Sequence, residues 1–290
     1  MQADKYDRNA ENVGNIVALE HCNVRIPSQL TATDFWLTGM GFTRDPYLMA
    51  GTENMWVNIG KQQFHMPTGY PQVFRAHIGI VVPDLEALTN RLATVREKLT
   101  GTKFGCSLED KAVVVTCPWG NKLRCHAAGP EWGDMTLGVP YVEFCVPAGH
   151  ADGIARFYRQ IMGAAAVVTP VGSLAEAHVQ VGVGQELIFR ETTNELPKFD
   201  GHHIAVYITD FSGPHAQLKE RGLVTEESNP VQYRFSNIVD PDTNKCLFVI
   251  EHEVRSFTHP MYARPLVNRN PAQRQATYRP GRDAFVPGMN

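Results

Sequence analysis

Three histidines stand where imidazole could do chemistry: His21 in "LEHCNV", His65 in "KQQFHMPTG" and His77 in "FRAHIGIVVPDLEAL". His77 heads an apolar stretch, Ile78–Val82, that otherwise reads as a dry strand. A neutral imidazole can hold a metal ion, move a proton near neutral pH, or simply be a hydrogen-bonded polar residue. The last is the plain structural reading for any one of them alone. Further polar side chains recur inside apolar runs: Arg124 and His126 in "NKLRCHA", Tyr141 and Glu143 in "PYVEFCV", Arg190 in "LIFRE". His203 and Tyr207 follow in "HHIAVYI", and Glu251 in "LFVIEHEV". By strand alternation His21 and Cys22 face opposite ways, as do His202 and His203, which argues against a Cys–His pair.

The elements that position these residues come from a unit repeated four times, beginning near Leu19, Phe74, Pro140 and Gly201, at a spacing of roughly 55 to 65 residues. Each unit is an apolar strand, a break, a helix with apolar residues at i, i+3 and i+4, and shorter strands after it. In the second unit the break is Pro83–Asp84, and Leu85, Leu88 and Leu92 set the helical spacing. Gly41, Gly163 and Gly222 end three of the helices. The unit therefore reads βαβββ. The glycine-rich break "AAGPEWGDMTLGVP" puts a domain boundary near Gly133.

Composition bounds the rest. The chain has 290 residues, 43% hydrophobic and 20% charged, with net charge −3 from 27 basic and 30 acidic residues. That is enough for a packed core and lacks the positive field of a nucleic-acid binder. No apolar run reaches the roughly 20 residues of a membrane span. The six cysteines show no CxxC pair; read as reduced thiols, and with no signal-peptide pattern, they give a cytoplasmic expectation. "VGVGQE" near Gly182 lies between two strands and reads as a hairpin turn, not a phosphate loop. The segment 256–290 is rich in Pro and Arg without period. We expect it to lie extended on a neighbouring surface through Tyr262, Leu266, Tyr278 and Phe285, as part of a homo-oligomer.

With "HIGIVVPDLEAL", "FYRQIMGA" and "DPDTNKCLFVIE", the repeat resembles the vicinal oxygen chelate superfamily of glyoxalase I, bleomycin-resistance proteins and type I extradiol dioxygenases, over about residues 16 to 255. The resemblance implies an α+β fold of four βαβββ modules in two cup-shaped half-barrel domains. We expect an N-terminal arm at 1–15, a first domain at 16–132, a second at 133–255, and the tail at 256–290. It also implies a divalent transition metal (iron, zinc, nickel or manganese) held by first and last strands of paired units. The matching positions are His21, His65 and His77, and the fourth falls on Arg124, where the family usually has Glu. Arg124 would then meet an anionic group and His126 would move a proton. Asn23 and Arg25 would orient substrate, with Tyr141, Glu143, Arg190, His203, Tyr207 and Glu251 as further substrate-binding candidates. For Glu143 or Glu251 with Arg190, the plain reading is a structural ion pair.

In the second half the last-strand positions fall near Ile188 and on Leu247, neither of which binds metal. The ring-cleaving signature counted from Asp240 also ends on Leu247. The expectation is thus a metal-dependent dioxygenase, isomerase or lyase working in the N-terminal half on a small polar or aromatic molecule. The alternative is a metal-free binding protein of the bleomycin-resistance type.

Overall fold

The computed structural model describes residues 12–48 and 51–269. Its first module runs β1 (Ile16–Asn23), α1 (Gln29–Ala32, continuing as a π-helical stretch Thr33–Gly39), β2 (Thr43–Arg44), β3 (Asn54–Ile59) and β4 (Gln62–Pro67). The second is β5 (Ala76–Val82), α2 (Leu85–Val95), β6 (Gly105–Glu109), β7 (Ala112–Thr116) and β8 (Lys122–Ala127). The third is β9 (Tyr141–Pro147), α3 (Ala151–Gln160), β10 (Ala166–Val171), β11 (Leu174–Gly182) and β12 (Gln185–Thr192). The fourth is β13 (His203–Ile208), α4 (Ser212–Glu220), β14 (Val224–Asn229), β15 (Gln232–Val239) and β16 (Cys246–Arg255). Four βαβββ units are therefore present, in the expected order.

Local chemistry explains the elements. Asp84 caps α2, its carboxylate accepting from the Ala87 amide at 3.0 Å, and Leu88, Leu92 and Val95 form the buried stripe. β9 alternates buried with half-buried residues along Tyr141–Pro147. The hairpin between β3 and β4 turns at Gly60 (φ +67°), where a Cβ would collide with the Leu137 carbonyl; only glycine admits both the turn and that approach.

The strands form two eight-stranded sheets, ordered β14-β15-β16-β13-β1-β4-β3-β2 and β10-β11-β12-β9-β5-β8-β7-β6. The pairing differs from the expected one. The first module shares a sheet with the fourth, through antiparallel β1 and β13, and the second with the third, through β5 and β9. Residues 16–132 and 133–255 thus each contribute one module to each sheet. Consecutive modules meet instead on the helix side, α2 packing on the π-helical stretch Thr33–Gly39 and α3 reaching β15 and β16. The four first strands offer the same apolar edge, so pairing is decided by particular long-range contacts. The Gln185 side chain then ties one sheet to the other, accepting from the Leu19 amide at 3.1 Å and donating to the Val139 carbonyl at 3.1 Å.

The core is continuous across the helix-covered faces, with Trp36, Phe35 and Phe64 under α1 and Phe144, Phe157, Tyr158, Phe189 and Phe235 around α3. Among the described residues no helix is long and apolar enough to cross a membrane. The described part of the tail lies on its own chain. Arg264 pairs with the fully buried Asp45 at 2.7 Å. Asn268 exchanges hydrogen bonds with the Gly60 backbone, and the Arg269 amide donates to Thr43. Tyr262 packs edge-on against Tyr207, and Leu266 is half-buried; Tyr278 and Phe285 fall outside the described residues.

Candidate metal centre

The concave face of the first sheet gathers side chains from β1, β13, β16 and β4. In antiparallel register Asn23 stands opposite His203, and His21 opposite Ala205. In parallel register His203 stands opposite Glu251 and Ala205 opposite Glu253. These alternations point His21, His203, Glu251 and Glu253 into one cup. One donor atom each from His21, His203 and Glu253 lies within 4.8 Å of the others. All three residues are buried, at 1%, 7% and 3% exposure.

The register also explains why Glu253 belongs with His65. His21 faces Gln63 on β4, with His65 two residues further; His203 faces Glu251 on β16, with Glu253 two residues further. His65 and Glu253 are therefore counterparts under the approximate two-fold relation between modules. Their rings stand close: His21 is 5.5 Å from His203 and 5.8 Å from His65, centroid to centroid.

The imidazoles have the form a cation requires. The Nε2 atoms of His21, His65 and His203 are all enclosed without a hydrogen-bond partner, and such orphans are rare in a folded interior. His21 is fixed through its other nitrogen: Nδ1 donates to Glu20 at 2.6 Å, leaving the Nε2 lone pair facing the cup. That carboxylate–imidazole arrangement is the one that orients ligands in metal sites. Glu20 adjoins His21 in sequence yet reaches its ring because β1 slips register against β13 between Leu19 and His21. Asn23 fixes His65, its amide 2.6 Å from Nδ1, and Trp56 stacks on the same ring at 3.9 Å.

Electrostatics keep the set ready. Burial, reinforced by His21, Arg255 and Arg234, pushes the His65 pKa down to about 2. Burial first, then His21 and Arg234, drives His203 well below its ordinary value. Both are neutral at physiological pH, so a metal would displace no proton from them. Glu253 is held by two guanidiniums: Arg255 donates from Nε at 2.6 Å to one oxygen, and Arg234 donates to the other. Arg255 meets that first oxygen with both Nε and Nη2, whereas the second takes Arg234 alone among the guanidiniums and keeps an acceptor site free. Arg255 also donates to Glu20 at 2.7 Å. Burial opposes ionisation of Glu20, but His21 and Arg255 hold its pKa below the usual value. The residues present therefore fit a divalent ion.

The other sequence candidates divide between the cups. His77, Arg124, His126, Tyr141, Glu143 and Arg190 lie on β5, β8, β9 and β12 of the second sheet. His77 cannot join His21 and His65; it sits 3.7 Å from Glu143, which is 3.1 Å from Arg190. His21, His65 and His77 are therefore not brought together; the donors of His21 converge with those of His203 and Glu253, and the His65 ring stands 5.8 Å from that of His21. Glu251 pairs with Arg234 at 2.5 Å rather than with Arg190. Tyr207 lies in the first cup, its hydroxyl enclosed without a partner and its pKa pushed up to about 12 by burial and then Glu20. Arg25 is exposed past the end of β1. Leu247 packs against Gly153 of α3, so it belongs to the helix-covered face. Glu253, Glu20, Arg234 and Arg255 escaped the sequence reading; the signal for Glu253 was "EHE", two carboxylates at strand spacing.

Solved structures share this architecture. Glyoxalase I from Zea mays superposes with a TM-score of 0.57 at 14% identity, covering 82% of this chain and 92% of that one. A candidate dioxygenase from Bacillus subtilis superposes with a TM-score of 0.56 at 13% identity, covering 86% and 87%. The chain has the vicinal oxygen chelate fold. No family model matches it, and no curated protein does. At these identities the likeness is one of fold, and any chemistry in this vicinal oxygen chelate cup has to be argued from its own side chains.

Acid should undo this cup and the core beside it. His65, His202, His203 and His252 all have depressed pKa values with burial as the first cause, His252 falling to about 4. The unfolded chain takes up these protons near pH 6.5 while the folded chain does not. Stability is therefore full above about pH 6.5 and falls below it, by about 1 kcal/mol per histidine over the first pH unit. Melting temperature measured between pH 8 and 5 should be flat, then drop by several degrees below 6.5; a flat profile throughout would contradict the neutral, buried imidazoles.

Proposed function

We propose that the chain is a metal-dependent enzyme of vicinal oxygen chelate type, with its centre formed by the first and fourth modules. Its substrate is a small anionic organic molecule offering two adjacent oxygens. The observation that carries the reading is the buried group of His21, His203 and Glu253, in which both imidazoles keep Nε2 enclosed and unpartnered. His21, His203 and Glu253 would hold the ion, and two imidazoles with one carboxylate are the donor set of non-haem ferrous oxygenases. A divalent transition ion bound there supplies Lewis acidity and, as ferrous iron, reactivity toward dioxygen.

The chain's own residues do the rest. Glu20 fixes the His21 ring, and Arg255 fixes Glu20. Asn23 and Trp56 hold His65 with Nε2 directed inward. The cup contains three carboxylates, Glu20, Glu251 and Glu253, against two guanidiniums, Arg234 and Arg255. Their sum is one negative charge, and a divalent ion turns it to one positive charge. An anionic substrate is then the species the cup attracts. Arg234 and Glu251, both partly exposed, stand at the accessible side and would meet it.

His65 favours a second reading. With its Nε2 as a fourth ligand, the set resembles that of an isomerase or lyase, which needs no dioxygen. Protein reconstituted anaerobically with ferrous, zinc or nickel ion should be given catechols, 2-oxo acids and 2-hydroxythioesters, with oxygen uptake and anaerobic conversion followed separately. Uptake dependent on iron supports the oxygenase reading, and conversion without oxygen supports the isomerase or lyase one. Turnover by EDTA-treated protein would overturn both, and ligand binding by metal-free protein alone would make the chain a sequestering protein.

A further inference from the structure

We propose that the second sheet carries a ligand site of its own, independent of the metal centre, which takes a planar aromatic carboxylate. Its concave face contains none of His21, His203 and Glu253. Among the described residues no three histidine, cysteine or carboxylate donors converge there. What does converge is an anion-binding fork beside an aromatic wall.

Arg124 on β8 supplies the fork. Its nearest acids, Glu109 at 3.9 Å and Asp110 at 3.7 Å, lie beyond hydrogen-bond length. The guanidinium is a third exposed, so its planar donors are both uncommitted and within reach of a ligand. Such a fork matches a carboxylate with two parallel bonds. Of the other cations on this face, Arg190 is already engaged, 2.7 Å from Glu176 and 3.1 Å from Glu143, and Lys122, two residues before Arg124 and so further from His126, is a point charge without the fork. An incoming anion is therefore directed to Arg124.

The wall is made by His126, Trp132 and Tyr141. His126, two residues beyond Arg124, shares its face. Its Nε2 is 2.9 Å from the Tyr141 hydroxyl, and its ring centroid is 4.7 Å from that of Trp132. Trp132 and Tyr141 stand 6.3 Å apart at 31°. Tyr141 lies over the strand because residue 79 is glycine; a Cβ there would strike its ring. Finally, Trp132 Nε1 is enclosed with no acceptor. A buried N–H without a partner is costly, and a ligand oxygen would satisfy it. A charged fork, aromatic faces and one spare N–H together select a flat, oxygen-bearing anion over a spherical one.

Calorimetric titration of the EDTA-treated, full-length protein with 4-hydroxybenzoate tests this, with inorganic phosphate as the comparison probe. Binding should be equal in EDTA-treated and metal-loaded protein, which separates this site from the metal reading. Arg124→Met should weaken it about 10- to 100-fold, as loss of a charge-assisted pair does. Arg124→Lys should restore only part, and Trp132→Phe should weaken it while keeping the melting temperature. No binding at millimolar 4-hydroxybenzoate, equal affinity in wild type and Arg124→Met, or phosphate binding as tightly would each overturn the proposal.

Discussion

Replacing His203 by alanine is expected to lower affinity for a divalent transition ion by at least about 100-fold, and His77→Ala to leave it unchanged. The first expectation follows from the enclosed Nε2 of His203, 3.6 Å from Glu253 and in the same donor group as His21. Removing a partner that merely orients a ligand already costs 10- to 100-fold in comparable sites, so loss of a ligand costs at least the upper end. The second follows from topology: β5, which bears His77, lies in the other sheet. Both variants should be loaded anaerobically with ferrous or cobaltous ion and the bound metal measured after dialysis against graded chelator. Equal loss in both, or loss in neither, would contradict the assignment of the centre to the first and fourth modules. Glu20→Gln belongs in the same series. The His21 ring would keep a hydrogen bond there but lose the charge behind it, and affinity should fall about 10- to 100-fold.

Arg255→Met should be the most destabilising single change in the cup, by about 3–5 kcal/mol. Arg255 is 5% exposed and neutralises two buried carboxylates, Glu20 at 2.7 Å and Glu253 at 2.5 Å. Methionine fills much of the volume but leaves Glu20 without its guanidinium and Glu253 with Arg234 alone, and removal of one partner from a buried ionic network costs that much. The melting temperature should fall by about 10 °C or more. Adding Glu20→Gln to Arg255→Met removes one of the stranded charges and should recover part of the loss, a non-additivity expected of residues in one network. Loading with a divalent ion should recover part as well, because a cation beside Glu253 takes over the neutralising role. A drop of less than about 1 kcal/mol, or a double variant no better than the single one, would contradict the network as described.

The repeat was legible in the sequence because each module carries its own punctuation. A strand, a break such as Pro83–Asp84, a helical stripe and a glycine with positive φ at 41, 163 or 222 are local signals, and local chemistry obeyed them. Which module pairs with which was not legible. β1, β5, β9 and β13 present similar apolar edges, and the pairing that forms joins residues far apart in the chain, Ile16–Asn23 with His203–Ile208. That misplacement carried His77 into the wrong trio and left His203 as a substrate residue. The site's other surprises have equally specific causes. Counting from Asp240 arrived at Leu247, while the register of β13 with β16 brings the carboxylates at 251 and 253 to the cup. Glu20 was hidden by the alternation rule, which fails where β1 slips register. His21, His65, Asn23, Tyr207 and Glu251 were visible in the sequence because they interrupt apolar strands with polar groups that share a face.

The tail illustrates a different limit. Its composition suggested an extended segment on a neighbouring surface, and the residues up to 269 lie on the chain's own first module. Arg264 satisfies Asp45, whose pKa stays below the ordinary value despite burial because Arg264 and the Leu48 and Tyr47 amides hold its charge. A buried aspartate in the first module and an arginine more than 200 residues later give no local sign of each other.

The most direct measurement is anomalous X-ray diffraction at the absorption edge of iron or cobalt on crystals of the metal-loaded protein. The account predicts one strong peak per chain in the cup of the first and fourth modules, about 2.0–2.2 Å from Nε2 of His21 and His203 and from a Glu253 oxygen. A peak in the second sheet beside His77 and Glu143, or no peak between the three imidazoles at full loading, would contradict it.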